Sequence, residues 1–372
     1  TVALSISFDS PVTGLTSTAV DSVFKVAGQG VSASWGGTNG SASRTLTYTV
    51  ASGQNGPLSI DEAALKNALV GSGLADSAGN PFVYSSQIAD IDTVALATVD
   101  GTAPSVSSVS LASATGSQNG TLNVGDVLTA VVALSEPITL SGTPKLNLNI
   151  GGGSVQASFV EANGSNLTFS YAILAGQTDT DGISISANSL ELNGATIRDL
   201  KGNSAALTHS AVADSPAFKV DTTAPTLAAA SPSTVLTGGG DSLGDTVTLT
   251  VTFDSPIYGL LGGNNLTVFS VKGQPVSATW TGVNGESSRS LVYTVGYQQL
   301  GQLAINSAAL QTALLAAGLA DAGGNALTYS GTISVSNPTP LPEVDGNGAI
   351  ITSIALSPSG GMNGTLNAGD VV

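Results

Sequence analysis

The stretch that decides the fold is KVDTTAPT, at residues 219–226. A close relative, TVDGTAPS, lies at residues 98–105, and a shorter one, VDG, lies at residues 344–346. The aspartates of successive stretches are 121 and 124 residues apart. Proline fixes its own φ and keeps the residue before it out of the helical region, so these stretches predict stiff, extended connectors. The spacing therefore indicates a linear array of domains joined by such connectors.

The segments on either side of the middle one are copies of each other. Residues 8–80 match residues 253–325 without a gap, at a constant offset of 245 residues. Identical pairs include Phe8/Phe253, Asp9/Asp254, Pro11/Pro256, Trp35/Trp280, Arg44/Arg289, Tyr48/Tyr293, Leu65/Leu310, Asp76/Asp321 and Asn80/Asn325. An offset held over this length indicates an internal duplication.

The middle segment is a diverged relative of the same repeat. It has LSEPI at residues 134–138 and DLKGN at residues 199–203, where the first segment has FDSPV and DSAGN. NGTLN at residues 119–123 returns at residues 363–367, so the last piece repeats the middle type. The predicted domains alternate in type: 1–100 (type A, first strand missing), 101–221 (type B), 222–343 (type A) and 344–372 (start of a further type B).

Each repeat has the pattern of about seven short strands separated by turn residues, typical of an Ig-like domain. Residues 2–8 alternate apolar and polar side chains, and Asp9-Ser10-Pro11 is predicted to end that strand. Residues 60–70 have helical spacing and predict a short helix, capped by Ser59 or Asp61. The predicted fold is all-β: a tandem array of Ig-like antiparallel β-sandwich domains with a short helix in each type A unit. A β-helix or a propeller would need shorter or four-stranded repeats.

Composition narrows the possible partners. The chain has 372 residues, with 9 Lys and Arg against 25 Asp and Glu, a formal net charge of −16. This charge argues against nucleic acid or an anionic membrane as partner and favours divalent cations. There is no cysteine, so no disulfide holds the fold. No apolar run is long enough for a membrane span in this segment.

His209 is the only histidine. A Ser-His-Asp triad would need this ring to be oriented by an acid and to face an activated serine. Neither type A copy has an equivalent histidine, and no glycine-rich phosphate loop opens a helix. We therefore predict a surface or sheet-edge role for His209 and no enzymatic activity in this chain.

Carboxylates recur at the predicted joints between domains. In a seven-stranded sandwich, three loops and the incoming connector meet at one pole. Asp9, Glu136 and Asp254 are predicted on one of these turns. The candidate metal ligands at the joints are Asp100, Asp126, Glu136, Asp179, Asp181, Asp199, Asp221, Asp254 and Asp321.

Calcium is the cofactor that these residues favour, because Ca²⁺ takes about six to eight oxygen ligands. The alternative remains open, since Asp in Gly-Asp and Asp-x-x-Gly-Asn also closes turns by bonding nearby backbone. Under the calcium hypothesis, the joint after the type B domain should bind more tightly than the joint before it. Asp126, Asp179 and Asp181 would be recruited there from the type B domain.

The connector DTTAP at residues 221–225, the SEP turn at 135–137, the Asp-x-x-Gly-Asn motif and residues 169–183 resemble bacterial Ig-like repeats of giant secreted adhesins and biofilm-associated proteins. The resemblance covers essentially the whole chain, and it implies an extracellular or cell-surface location. It identifies a repeat family better than a function.

Two functions follow from this resemblance and from the duplication. The first is a structural extender of a cell-surface adhesin, which holds a ligand-binding tip provided by other parts of the protein. The second is a subunit of an extracellular filament, sheath or surface layer, in which copies of the chain contact one another. A carbohydrate-binding module would need exposed aromatic residues, whereas we expect Trp35 and Trp280 to be buried core residues.

The ends of the sequence predict open strands. Thr1 aligns with Thr246, so the first repeat starts within its second strand, and Val372 aligns near Val127. A missing strand leaves backbone donors and acceptors unpaired. We expect either that the chain is a window cut from a longer array, or that residues 350–372 donate strands to a neighbouring copy.

Overall fold

The structure is a computed structural model that describes residues 1–16, 20–84, 97–228, 233–237 (backbone only), 240–331, 333, 335, 341–355 and 368. The repeated NGTLN at 363–367 and most of the predicted fourth domain lie outside these residues. Two compact units are present: one contains residues 1–113, 128–171 and 184–213, and the other contains 114–127, 172–183 and 214–372. No helix in the described part of the chain is long and apolar enough to cross a membrane.

The elements of the first hundred residues are seven strands and one helix. They are β1 (Val2–Thr13), β2 (Val20–Val26), β3 (Gln29–Gly36), β4 (Ser41–Tyr48), β5 (Asn55–Ile60), α1 (Glu62–Gly71), β6 (Ala75–Asp76) and β7 (Thr98–Asp100).

The middle segment is built of strands alone within the described residues. They are β8 (Val106–Thr115), β9 (Thr121–Leu122), β10 (Val127–Leu134), β11 (Ile138–Ser141), β12 (Lys145–Ile150), β13 (Gly153–Asn163), β14 (Asn166–Ala172), β15 (Thr178–Asp179), β16 (Leu190–Glu191), β17 (Thr196–Asp199) and β18 (Lys219–Asp221).

The last segment repeats the first. It has β19 (Ser233–Thr237), β20 (Thr246–Ile257), β21 (Asn264–Val271), β22 (Gln274–Thr281), β23 (Glu286–Thr294), β24 (Leu300–Ile305), α2 (Ser307–Ala316) and β25 (Glu343–Asp345). The predicted all-β antiparallel class, with one short helix in each type A segment, is confirmed.

The first unit contains a seven-stranded sheet in the order β6-β1-β4-β3-β2-β5-β7, a six-stranded sheet in the order β16-β12-β13-β14-β10-β8, and the pair β11-β17. The second unit contains the three-stranded sheet β15-β18-β9 and a seven-stranded sheet in the order β19-β20-β23-β22-β21-β24-β25. Both seven-stranded sheets are antiparallel throughout.

The strand that contains Asp9 corrects a sequence-based expectation. Asp9-Ser10-Pro11 does not end β1, and the matching Asp254 lies inside β20, so the predicted turn is wrong for these two aspartates. The register with β4 instead shifts between Ser7 and Val12, and after this bulge Val12 pairs both with Ser41 of β4 and with Asp76 of β6. A bulge accommodates the proline without ending the strand.

In each type A segment, the helix and the tryptophan contribute large buried side chains to the core. Trp35 is 1% exposed and Trp280 is 4% exposed, so the predicted burial is confirmed. α1 begins after Asp61, whose carboxylate accepts a hydrogen bond from the Ala64 amide at 3.0 Å. The helix buries Leu65 and Leu69. α2 begins after Asn306, which accepts from Ala309, and buries Leu310 and Leu314.

A buried arginine ties together the turns of each type A segment. Arg44 is fully buried. Its guanidinium donates to the carbonyl oxygens of Gly14 (2.7 Å), Ser43 (2.8 Å), Val12 (2.9 Å) and Thr38 (3.1 Å). A buried charge is tolerated when its donors are satisfied, and here backbone carbonyls satisfy them.

The second copy reproduces this cluster. Arg289 is also fully buried, and it donates to the carbonyl oxygens of Gly259, Val283, Ser288 and Ile257, each 245 residues after its counterpart. Burial lowers the pKa of the Arg289 guanidinium, an effect opposed by the charge of Glu286. The duplicated arginine is therefore a structural residue that orders loops.

Replacing Arg44 with Lys should lower the free energy of unfolding of the first type A segment by about 2–4 kcal/mol. A lysine ammonium cannot reach four carbonyl groups arranged around a planar guanidinium, and it leaves some of them buried and unpaired. Trp35 reports on this segment alone in a Trp280→Phe background, so urea unfolding followed by fluorescence measures the change. Arg198→Lys is the matched control, because Arg198 is exposed. Equal midpoints for the two variants would contradict the assigned role.

Candidate metal centre

The connector at the first predicted joint is held by an asparagine side chain. Asn203 Nδ2 donates to the backbone oxygen of Asp100 at 3.0 Å and to that of Thr102 at 3.3 Å. The same amide group donates to Asp199 Oδ2 at 2.6 Å. The Asp-x-x-Gly-Asn motif of the middle segment therefore binds the connector that precedes this segment, with its aspartate orienting the asparagine.

Asp199 is fixed by this motif. Its Oδ1 accepts hydrogen bonds from the amides of Lys201 (2.7 Å) and Asn203 (2.8 Å), and the residue is 3% exposed. Burial by itself would raise the pKa of this carboxyl, but hydrogen bonds from the Asn203 side chain and amide and from nearby amides lower it below its ordinary value. Asp199 is thus held as a buried carboxylate.

Three carboxylates meet beside this connector. Ligand atoms of Asp100, Glu136 and Asp199 all lie within 4.8 Å of one another. Burial and the charges of Asp199 and Asp100 raise the pKa of Glu136, the expected response of an acid beside two others. All the ligands are carboxylate oxygens, the donor set of a hard cation such as Ca²⁺ or Mg²⁺. The group fits such an ion in charge and chemistry.

The second predicted joint has the same asparagine contact. Asn325 Nδ2 donates to the backbone oxygen of Asp221 at 2.9 Å and to Asp321 Oδ2 at 2.9 Å. Asp321 is 5% exposed, and its other oxygen accepts the Asn325 amide at 2.9 Å. The two joints therefore hold their connectors by one and the same device.

Carboxylate placement differs between the two joints. Asp254 accepts two hydrogen bonds from Thr226 in the connector, from the amide at 2.8 Å and from Oγ1 at 2.7 Å. Burial would raise the pKa of Asp254, but the Thr226 bonds lower it. At the first joint, the equivalent amide is that of Ser105, and it donates a hydrogen bond to Ser135 Oγ at 3.0 Å. The structural counterpart of Asp254 is therefore Ser135.

The counterpart of Glu136 is consequently Ser255, so the second joint lacks the third carboxylate. Within the described residues, Asp221, Asp254 and Asp321 do not form a group like that of the first joint. Asp221 caps its own connector by accepting the Thr223 amide at 2.9 Å. The acidic group therefore lies at the first joint, whereas the sequence placed more candidate ligands at the second.

Two of the remaining candidates of the middle segment close turns, and the third is an exposed residue. Asp126 Oδ2 accepts the Asn123 amide at 2.8 Å. Asp179 is 4% exposed and accepts the Gly182 amide at 2.7 Å, whereas Asp181 is exposed. The structure does not bring these three into a group with the other candidates among the residues it describes.

His209 has both ring nitrogens bound to backbone groups. Its Nε2 accepts the Ser189 amide at 2.8 Å, and its Nδ1 lies 2.8 Å from the carbonyl oxygen of Ser210. A carbonyl oxygen cannot donate, so the proton of the neutral ring is on Nδ1. With both nitrogens occupied, this ring is not arranged to activate a serine.

The residue after the connector aspartate depends on the domain that precedes it. A Cβ at Gly101 would collide with the carbonyl oxygen of Ala51, and one at Gly346 with that of Gly296. After the type B segment the position is Thr222, whose hydroxyl donates to Gln177 O at 2.9 Å. Asp-Gly therefore follows type A segments because a turn carbonyl occupies the space of a side chain.

Sequence reasoning missed the asparagines and the serine of the joints. It selected the aspartate of each Asp-x-x-Gly-Asn motif but assigned no role to Asn203 or Asn325. The repetition of the complete motif was the available signal, since Asn80 ends the first copy as well. The exchange of Ser135 for Asp254 was visible in the alignment of LSEPI with FDSPV, but its consequence was not, because a hydroxyl and a carboxylate both accept a hydrogen bond from the same amide.

Comparisons with known proteins gave structural likenesses only. No protein-family model matches the sequence, and no curated protein matches it. One similar solved structure contains three Ig domains of titin in a Glu-to-Ala variant, at 9% identity and a TM-score of 0.29, covering 89% of this chain and 99% of that one.

Two further similar structures are bacterial. One is a 1.5-MDa ice-binding adhesin, at 14% identity and a TM-score of 0.27, covering 79% of each chain. The other is a membrane-anchored protein of Corynebacterium diphtheriae, at 11% identity and a TM-score of 0.20, covering 93% of this chain and 89% of that one. At such scores the likeness carries no functional argument, and function must be inferred from this chain's own residues.

Gly101→Ala should destabilise the first type A segment by about 1–3 kcal/mol, because the added methyl group forces the Ala51 turn away from the connector. Gly71→Ala is the matched control, since a Cβ at Gly71 meets nothing within 4 Å. Urea unfolding followed through Trp35 in the Trp280→Phe background measures both. A Gly101→Ala midpoint equal to that of Gly71→Ala would contradict the collision.

Proposed function

We propose that this chain is a non-catalytic extender region of a bacterial cell-surface adhesin or biofilm protein. Its domains would be residues 1–100, 101–221, 222–343 and the start of another at 344–372, arranged as a linear array. The observation that carries the proposal is the repeated joint, in which Asn203 and Asn325 bind the carbonyl of the connector aspartate. An array gains length by repeating one unit and one interface.

The proposed partners follow from this role. Neighbouring domains and copies of the same chain would supply the contacts within the array, and other parts of the protein would bind the surface or host ligand. The location would be extracellular, at the bacterial cell surface. Reactions are not part of the proposal, because His209 is engaged on both nitrogens by backbone groups.

We further propose that calcium stiffens the first joint. Asp100 belongs to the connector, whereas Glu136 and Asp199 belong to the domain that follows, so one cation bound by all three would link the two. The raised pKa of Glu136 is consistent with a group of negative charges that a cation would neutralise. Asp199 already accepts three hydrogen bonds, so it would contribute its remaining acceptor position.

Glu136→Gln should weaken calcium binding on the order of tenfold, because it removes one of three ligand charges. Isothermal titration of the whole chain with CaCl₂ measures the change. Glu161→Gln is the matched control, since Glu161 is exposed on β13 of the same segment. A wild-type chain that binds no calcium, or equal affinities for the two variants, would remove calcium from the proposal and leave the extender role in place.

The second candidate function is a subunit of a self-assembling filament, sheath or surface layer. The exposed side chains of Ile350, Ile351 and Ile354 favour it, because neighbouring exposed apolar residues are typical of protein–protein contacts. Electron microscopy of the purified protein separates the two roles. Isolated beaded rods support the extender, whereas ordered fibres or sheets support assembly.

A further inference from the structure

The six-stranded sheet of the middle segment ends on an open edge. β8 is the last strand in the order β16-β12-β13-β14-β10-β8, with β10 as its neighbour on one side. On the other side, Val106 donates its amide to the carbonyl oxygen of Ala206 at 3.3 Å, and Ser105 forms an isolated parallel bridge with Ala206. Beyond Val106, no backbone hydrogen bond joins this side of β8 to another of the described residues. The outer edge of residues 107–113 is therefore open in the part of the chain that the structure describes.

A cleft of about 560 Å³ borders this edge. Residues 106–109 form one wall, and Asn188 together with residues 208–212 forms the other. The second wall is held from behind, because Val212 exchanges two backbone hydrogen bonds with Ile185 and the His209 amide donates to Asn188 Oδ1 at 3.0 Å. Residues 208–212 are thus engaged away from β8, and the cleft leaves room for another extended segment beside β8.

The open edge lacks the usual protection against pairing. Edge strands in soluble proteins are normally blocked by charges or proline, and an unblocked edge accepts a strand from another chain. Residues 107–113 read SSVSLAS, and no charged residue occurs between Asp100 and Asp126. β10 and residues 204–213 carry no charged residue either. For two copies with a formal net charge of −16 each, contact at this edge meets little repulsion.

The burial pattern of this edge is the same in both directions. Val109 and Leu111 are half-buried, and Ser110 between them is exposed. The two residues on each flank are also exposed: Ser107, Ser108, Ala112 and Ser113. A regular strand alternates, so these doubled exposed positions distinguish one antiparallel register from the others. With Ser110 opposite Ser110, Val109 lies opposite Leu111 and exposed residues lie opposite exposed residues. A shift of two residues would place a half-buried residue opposite an exposed one.

We propose that β8 of a second copy of this chain pairs antiparallel with the open edge of β8, about a two-fold axis at Ser110. A two-fold contact uses the same surface on both partners and requires that surface to be self-complementary, as this edge is. The partner's residues 111–113 lie beside residues 107–109, along the cleft. The two six-stranded sheets then form one continuous sheet. This inference rests on the proposed role of copies of the chain as partners, and it identifies the surface through which they meet.

Single cysteines test the register directly, because the sequence contains no cysteine. Ser110→Cys lies opposite itself, at a Cα separation of about 4.5–5.5 Å, which is within disulfide range. Ser108→Cys and Ala112→Cys lie opposite each other but not opposite themselves. Under mild oxidation, Ser110→Cys alone should form a disulfide-linked dimer on a non-reducing gel. A mixture of Ser108→Cys with Ala112→Cys should form a mixed dimer.

Ser108→Cys alone is the matched control, since Ser108 is exposed on the same strand. In the proposed register its two copies lie four residues apart along the strand, roughly 13 Å, too far for a disulfide. Dimers of Ser108→Cys that form as fast as those of Ser110→Cys would overturn the proposal. So would the absence of a dimer both from Ser110→Cys and from the mixture.

Association in solution gives the second test. Light scattering across a concentration series should show the wild-type mass rising from monomer to dimer, because a two-fold contact is closed. Ser110→Lys should remain monomeric, since it places two like charges directly opposite each other. Ser154→Lys is the matched control and should dimerise like the wild type, because Ser154 is exposed on β13, an inner strand of the same sheet.

A wild type that stays monomeric throughout, or equal masses for the two lysine variants, would contradict the contact. The contact uses none of the acidic residues, so the same result is expected in CaCl₂ and in EGTA. Its failure would leave the extender role and the calcium proposal in place.

Discussion

A hydrogen bond from an asparagine side chain to the carbonyl of the incoming connector is the constraint on which each joint depends. Asn203 and Asn325 each make it, and in both cases a nearly buried aspartate orients the amide group. The aspartate is itself held by backbone amides, so the rotamer of the asparagine is set before a connector binds. Asn80 has the same bonds to Asp76, which shows that the motif forms locally.

The acidic character of the joints is a separate property from this device. The backbone amide of the connector donates a hydrogen bond either to a serine hydroxyl, as at Ser135, or to an aspartate carboxylate, as at Asp254. Where the serine performs this role, the next residue is Glu136, and three carboxylates meet. Where the aspartate performs it, the next residue is Ser255. Divergence at two adjacent positions thus separates a joint where three carboxylates meet from one where a single carboxylate, that of Asp254, accepts the connector's hydrogen bonds.

The two type A copies share their local contacts but differ in how deeply one strand is buried. Register, helix cap position and the buried arginine are common to both. The burial of the matching valines differs between the copies. Val247 is fully buried and lies on a strand paired with β19, whereas Val2 is partly buried and has no strand on that side among the described residues. The arginine cluster is the same in both copies, so the turns that it orders do not depend on how deeply this strand is buried.

Much of the fold could be read from the sequence, because strand periodicity, the helical spacing of residues 60–70 and the duplication are local or repetitive signals. They determined the all-β class, the helix in each type A segment and the burial of Trp35 and Trp280. Tertiary structure decided at which joint three carboxylates meet. Asp254 lies within β20 and binds the connector, whereas Glu136 lies between β10 and β11 and joins the acidic group. Sequence spacing places an aspartate near a joint, but only the packed chain determines where its oxygens point.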